Sequence, residues 1–388
     1  MDYSKRIDRI PPYLFAEIDK AISEKKSKGV DIISLGIGDP DLPTPKNIIE
    51  ELYKAAKDPQ NHRYPSYEGM IAFRQAVADW YKRRFNVRLD PKTEVLTLIG
   101  SKEGIGHIPL AFLNRDDVAL VSDPGYPVYR IGTILADGKP VSMPLTEEND
   151  FKPELEEIDK KIAKAARLMF INYPNAPTAA TAEKDFFKEV IDFARDNNII
   201  VCHDNPYSEM TFNGYVAPSF LEVKGAKEVG IEFNSLSKTY NMTGWRIGMA
   251  VGNNEVIAGL SRVKQNIDSG AFNAVQAAGI EALNGPQDQV RKNMKVWAAR
   301  RDLMVDGLND LGWEVRKPKA TFYLWFRIPK EYDSSIEFSK RVLDEAGIVI
   351  TPGIGFGEHG DGYARMALTQ PRERLEEVIE RLRNLRRP

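Results

Sequence analysis

Residues 231–252, IEFNSLSKTYNMTGWRIGMAVG, constrain this chain more than any other stretch. Two short apolar runs, one holding Ile231 and Phe233 and the other running from 247 to 251, flank a polar segment of serine, lysine, glycine and arginine. That alternation predicts a strand, an exposed loop and a second strand. Within the loop, Ser235, Ser237, Lys238 and Arg246 fall close together. Two hydroxyls and a guanidinium suit a phosphate, because the planar fork of arginine meets two oxygens at once. A lysine beside them becomes a nucleophile only where its surroundings lower its pKa. An isolated loop lysine is ordinarily a solvated charge; the spacing of its neighbours gives Lys238 its second reading.

The remaining sequence alternates in the same way. Apolar runs at 32–35, 95–99, 118–121, 168–171 and 199–202 end in clusters of Gly, Pro, Ser, Asn or Asp, and stretches at 105–112, 256–264 and 273–283 read as helices. A long amphipathic helix over 287–311 stops at Gly312. Strands at 321–326, 348–350 and 363–368 and helices at 335–346 and 371–385 then form a second α/β unit. The fold class is therefore α/β, a mostly parallel sheet with helices on both faces and a smaller α/β domain beside it. Several strand ends carry polar residues with chemistry. Gly100-Ser101-Lys102 opens a helix after a strand, which makes an anion site, although Ser101 would also cap any helix. Asp204 follows the run at 199–202 and leads into Asn205-Pro206-Tyr207, which reads equally as a turn. Arg365 sits among apolar neighbours on a strand, where it is costly unless paired.

The two serines, the lysine and the Gly-x-Arg-x-Gly at 244–248 resemble the signature of class I/II aminotransferases, fold type I enzymes of pyridoxal 5′-phosphate (PLP), and the likeness covers almost the whole chain. The resemblance implies an N-terminal arm and part of a small domain over 1–38, a large PLP-binding domain with a seven-stranded sheet over 39–282, and a C-terminal small domain over 283–388. It implies that Lys238 holds the cofactor covalently and shuttles the substrate proton. Ser101, Lys102, Ser235, Ser237 and Arg246 would receive the phosphate, Tyr126 would stack on the ring, and Asp204 and Tyr207 would meet its nitrogen and 3-oxygen. Tyr64 and Ser269 would reach the phosphate of a partner subunit, so a homodimer with shared active sites is implied. Arg365 would fork onto the substrate α-carboxylate, with Tyr13, Gly38, Lys102 and Tyr126 around it. Where the family has Asn-Pro-Thr-Gly this chain has Ala176-Pro177-Thr178-Ala179, and Asn175 is the residue expected to reach cofactor and substrate instead.

The strings GSKEGIGH, PGYPVYRIGT, NYPNAPTAA, NIDSG and PKATFYLWF resemble the LL-diaminopimelate aminotransferase branch of the family. The expected reaction is amino transfer between LL-diaminopimelate and 2-oxoglutarate in lysine biosynthesis. Lys102 would meet the distal carboxylate, and Glu68 or Glu103 the distal ammonium. The rival is an aspartate or alanine aminotransferase. Another PLP reaction on the same scaffold is a further reading, although an Arg365 clamp on the α-carboxylate argues against decarboxylation. A PLP-binding regulator without catalysis needs a DNA-binding domain, for which residues 1–30 have little room.

A net charge of −2 gives no general attraction for nucleic acid or anionic lipid. No apolar run approaches the ~18 residues of a membrane span, and the first ten residues are charged rather than apolar. Cys202, the single cysteine, lies in an apolar run, which suits a reducing cytoplasm. The histidines are scattered without ligand spacing, so no metal is expected.

Overall fold

The structure is a computed structural model that describes residues 2–11 and 14–385. Its first strands are β1 (Ile33–Ser34), β2 (Val95–Leu98), β3 (Val118–Asp123), β4 (Lys139–Pro144), β5 (Ala166–Asn172), β6 (Ile200–Asp204), β7 (Gly230–Ser235) and β8 (Gly248–Gly252). Seven of them form one sheet in the order β2-β8-β7-β6-β5-β3-β4. Only the two pairings of β8 are antiparallel; the other four are parallel. A parallel sheet is covered on both faces, so its strands read as near-continuous apolar runs. Leu168, Met169, Phe170 and Ile171 are accordingly all fully buried. Side chains alternate between the two faces. Val201 joins the core beneath helices Ile71–Phe85, Lys184–Asn197 and Asn273–Asn284, while Cys202 joins the opposite one beneath Ser101–Phe112 and Asn254–Lys264.

Strand β4, KPVSMP, escaped the sequence pattern because its prolines argue against a central strand. It lies at the sheet edge with β3 as its neighbour, where a missing N–H donor is tolerated.

The second unit contains β9 (Tyr323–Arg327), β10 (Ile348–Val349), β11 (Thr351–Pro352) and β12 (Tyr363–Ala367). Its antiparallel sheet runs β11-β12-β9, while β10 pairs in parallel with β1. Helix Ser335–Ala346 shows why these residues form these elements. Ser334 caps its start, accepting from Glu337 N at 3.2 Å, and Gly347 ends it at φ +66°. Trp297, Met304 and Leu308 of helix Asp288–Asp310 share a core with Phe322, Phe338, Val342 and Leu375. Ile33 and Leu35 enter that core from the N-terminal side, as do Tyr207, Met210 and Phe212 from the turn after β6. The two units are also tied by charge. Arg300 donates to both oxygens of Asp41 at 2.7 and 2.8 Å, and Glu147 meets Arg316 and Arg327, each at 2.7 Å. Among the described residues no helix is long and apolar enough to cross a membrane.

The carboxyl ends of the parallel strands and the beginning of the reversed β8 open at one rim of the sheet, facing the smaller unit. That rim is where ligands bind in open α/β sheets.

Candidate active site

A cavity of about 500 Å³ lies at this rim. At one end β2 runs into Gly100, and helix Ser101–Phe112 starts there with no side chain capping it. Its opening amides and the positive end of its dipole point into the cavity, an arrangement suited to an anion. Arg246 lies against Gly100 so closely that a Cβ there would fall 2.0 Å from the guanidinium. Gly100 also sits at φ +75°, a backbone conformation that favours glycine. Ser235 Oγ and Ser237 Oγ are 2.9 Å apart, at the start of the short helix Leu236–Thr239. Arg246 donates to Thr243 O at 2.7 Å, which aims its fork along the same wall.

In the middle of the cavity, Asp204 ends β6 and is 5% exposed. Its Oδ2 accepts from Tyr129 Oη at 2.8 Å, while its buried Oδ1 has no partner among the described residues. Burial pushes the carboxyl up to about 6, and the Tyr129 hydroxyl, His203 and Lys238 oppose the rise. Leaving such an oxygen unmet costs about 1–3 kcal/mol, so a cationic N–H brought into the cavity finds a waiting acceptor. Lys238 Nζ donates to Gly38 O at 2.7 Å. Burial lowers its pKa, Arg365 and Arg246 push the same way, and Tyr323 and Asp39 resist. Tyr126 lines the wall edge-on to Tyr129, 5.9 Å between centroids, and the Lys102 ammonium lies 5.9 Å from the Tyr126 ring.

At the other end Arg365, 4% exposed, projects from β12. Its guanidinium lies 4.3 Å from the Tyr323 ring and 4.6 Å from that of Phe356, and it donates to Gly36 O at 2.7 Å. A planar fork held between two aromatic faces is a carboxylate receptor in form. Tyr207 completes this end, its hydroxyl 3.1 Å from that of Tyr323.

Three expected residues, Asn175, Tyr64 and Ser269, fall elsewhere. Asn175 is fully buried, but the loop takes its side chain: Oδ1 accepts from Thr178 N (3.0 Å) and Thr178 Oγ1 (2.7 Å), and Nδ2 donates to Asn172 O (3.1 Å). Asn172 and Ala176 line the cavity in its place. Tyr64 (86% exposed) and Ser269 lie on the outer surface, on neighbouring segments, with Gly270 against Pro65 and Ser66. Tyr13 lies outside the described residues. Of the two acids considered for a distal ammonium, Glu103 is held by Ile99 N (3.1 Å) and His107 Nδ1 (2.8 Å) away from the cavity. With His107 and Asp268 it forms a cluster that sequence spacing did not show, and the buried Lys264 ammonium, 2.6 Å from Asp268 and 3.5 Å from Glu103, supplies positive charge there.

The lining also includes Thr243, Tyr323 and Phe356, which the sequence reading passed over. Asn172 had a signal: it directly follows the apolar run at 168–171 and pairs in register with Asp204. Tyr323 and Phe356 had none, since each looks like an ordinary core aromatic.

A family profile described as Aminotransferase class I and II matches residues 30–382. The chain belongs to that family. It is 58% identical over 99% of its length to an LL-diaminopimelate aminotransferase of Moorella thermoacetica, covering 98% of that protein. It is 59% identical over 98% of its length to one of Desulforudis audaxviator, covering 97% of it. Among solved structures, substrate-bound BacF of Bacillus subtilis superposes with a TM-score of 0.96 at 36% identity, over 99% of this chain and 98% of that one. Aminotransferases of this class are PLP enzymes of fold type I, and the cavity fits PLP. The uncapped helix start and Arg246 suit its phosphate, the unmet Asp204 Oδ1 suits a protonated ring nitrogen, and Lys238 is an amine held toward its neutral form.

Proposed function

We propose that this PLP-dependent aminotransferase moves an amino group between LL-diaminopimelate and 2-oxoglutarate, a step of lysine synthesis. The observation that carries the substrate choice is near-full-length identity of 58–59% to proteins named for that activity. Lys102, lining the cavity beside Tyr126, supports it as the cation for a distal carboxylate.

When bound, PLP supplies a carbonyl to receive the amino group and a ring that withdraws electrons from the substrate Cα. The chain's residues do the rest. Ser101, Ser235, Ser237 and Arg246 hold the phosphate, and Tyr126 covers a face of the ring. Asp204 Oδ1 would keep a proton on the ring nitrogen, and the Tyr207 hydroxyl would donate to the ring oxygen. Lys238 would tether the cofactor and, as a free amine, would take the proton from the substrate Cα with Nζ. Arg365 receives the α-carboxylate in its fork.

A homodimer completes the site in this reading. Tyr64, Tyr67, Ile71, Ile267 and Phe272 are all exposed and lie on the two adjoining surface segments, an apolar patch suited to a second copy. Tyr64 and Ser269 of one subunit then reach the phosphate held by the other. Glu68, on the same segment and 3.1 Å from Arg74, is the acid left for a distal ammonium in the neighbouring cavity. We assign the enzyme to the cytoplasm, since its one cysteine, Cys202, leaves it without an internal disulfide.

A panel of amino donors ranked by kcat/KM tests the substrate choice. LL-diaminopimelate and glutamate should lead, and Lys102→Ala should cost LL-diaminopimelate far more than glutamate; aspartate or alanine at the head of the panel overturns the assignment. The shared site is tested by mixing inactive Tyr64→Ala, Ser269→Ala subunits with inactive Lys238→Ala subunits. Hybrid dimers should recover part of the activity, and hybrids seen by native mass spectrometry without recovery refute the sharing.

A further inference from the structure

Tyr323 carries an inference that deepens this reading and rests on the placement of Tyr207 beside the cofactor's ring oxygen. The two phenols are 5% and 3% exposed, and their hydroxyl oxygens lie 3.1 Å apart. Each phenol has one proton to donate, so only one of the pair can give to the other. If Tyr207 gives to Tyr323, it has no proton left for the cavity.

The surroundings of Tyr323 decide the direction. On one side the Gly38 backbone presses on the hydroxyl so tightly that a Cβ there would fall 1.9 Å from it. Lys238 spends a proton on Gly38 O at 2.7 Å, and the Arg365 guanidinium lies 4.3 Å from the Tyr323 ring centroid. The charged groups recorded against Tyr323, Lys238 and Arg365, are cations that donate rather than accept. Phe322 meets the Tyr323 ring edge-on at 4.7 Å between centroids, and Tyr207 does so at 5.8 Å, so the ring is held on several sides. The Tyr207 oxygen is the acceptor within reach of this pinned hydroxyl.

We propose that Tyr323 is a positioning residue for Tyr207: it donates its proton to the Tyr207 oxygen and thereby commits the Tyr207 O–H to the cavity. Hydrogen bonds in such a chain also polarise one another, by about 10–30% per bond. A proton given by Tyr207 draws electron density from the ring oxygen of PLP. That oxygen then holds a neighbouring proton less firmly, and the pH at which the visible absorption of the holoenzyme changes is lowered. Without the Tyr323 hydroxyl, Tyr207 is able to turn away.

The test is an absorbance titration of the wild-type, Tyr207→Phe, Tyr323→Phe and doubly substituted holoenzymes, which reads the site without turnover. Tyr207→Phe should raise the midpoint, and Tyr323→Phe should raise it by about half a pH unit, as expected for loss of part of one hydrogen bond. In the Tyr207→Phe background Tyr323→Phe should add nothing, because it acts through Tyr207. An unmoved midpoint in Tyr323→Phe, or an equal shift in both backgrounds, overturns the proposal while leaving Tyr207 in its place. An unmoved midpoint in Tyr207→Phe overturns the placement of Tyr207 itself and the relay with it. Gly38→Ala gives a second approach should Tyr323→Phe not fold. Its methyl displaces the Tyr323 hydroxyl, so its midpoint should also rise, and a midpoint equal to wild type counts against the relay.

Discussion

At the Arg246 end of the cavity, Ser235 closes β7, and Ser237 and Arg246 follow in the segment between β7 and β8. At the Arg365 end, the hydrogen bond from Arg365 to Gly36 joins positions 329 apart in the chain. The first end is fixed to the rim of a seven-stranded sheet, and its geometry is as firm as that sheet. The second is set by where the smaller unit sits, through contacts such as Asp41 with Arg300 and Glu147 with Arg327. The difference separates two tasks. In the proposed function, retention of the cofactor falls to the sheet rim and recognition of the substrate to the joint between the units.

Lys238 stands between the ends and serves both, so its loss should have the largest effect. Lys238→Ala should fold normally by circular dichroism and lose roughly 10²–10⁴-fold in kcat, the range for a positioned acid–base group. A variant keeping more than a tenth of wild-type kcat removes Lys238 from its role.

Next in size is the contrast between the two arginines. Arg365→Ala should lower kcat/KM for carboxylate substrates about 100-fold, the loss of ~3 kcal/mol from a charged hydrogen-bonded pair, with cofactor retention unchanged. Arg246→Ala should weaken cofactor retention in equilibrium dialysis and leave kcat/KM of the saturated enzyme closer to wild type. Equal behaviour of the two variants breaks the comparison.

The smallest expected effect sharpens the account of the sheet rim. In the cofactor-free protein the Asp204 carboxyl is pushed up to about 6 by burial. Its unfolded value is about 3.9, so the folded state binds the proton more tightly. The stability this contributes is present below about pH 4 and is lost as pH rises to about 6, on the order of 2–3 kcal/mol in total. Urea unfolding of the cofactor-free protein at pH 4 to 7 should show that decline, and Asp204→Asn should flatten it. The same decline in both proteins places its origin elsewhere.

Much of the sheet rim was legible in the sequence because apolar runs state where strands stop, and side chains just past a strand end have little freedom over where they go. Asp204, Ser101 and Lys238 are of this kind. Asn175 is not, although it too follows a strand. Its direction is set by its own bonds to Thr178, and such competition inside a polar loop leaves no periodic trace. The joint was harder to read. Arg365 stood out as a charge in an apolar run, but Tyr323 and Phe356 gain their meaning only from the arginine lying between their rings. Tyr64 and Ser269 were marked by resemblance, and the single chain places them together on its outer face.

Strand β8 runs against its neighbours, and this reversal explains why so much chemistry fits into so short a string. Had β8 been parallel to β7, the chain would have had to cross back to the opposite rim of the sheet before starting it. The residue two places before the strand would then have been delivered to the far side of the sheet. As built, Ser235 pairs with Gly248, and Arg246 emerges beside the loop that carries Lys238. Reactive amine and anion anchor thus form a single cassette, which an exchange of one short segment between relatives carries over in register. Asp204, on β6, has to be already present in the recipient.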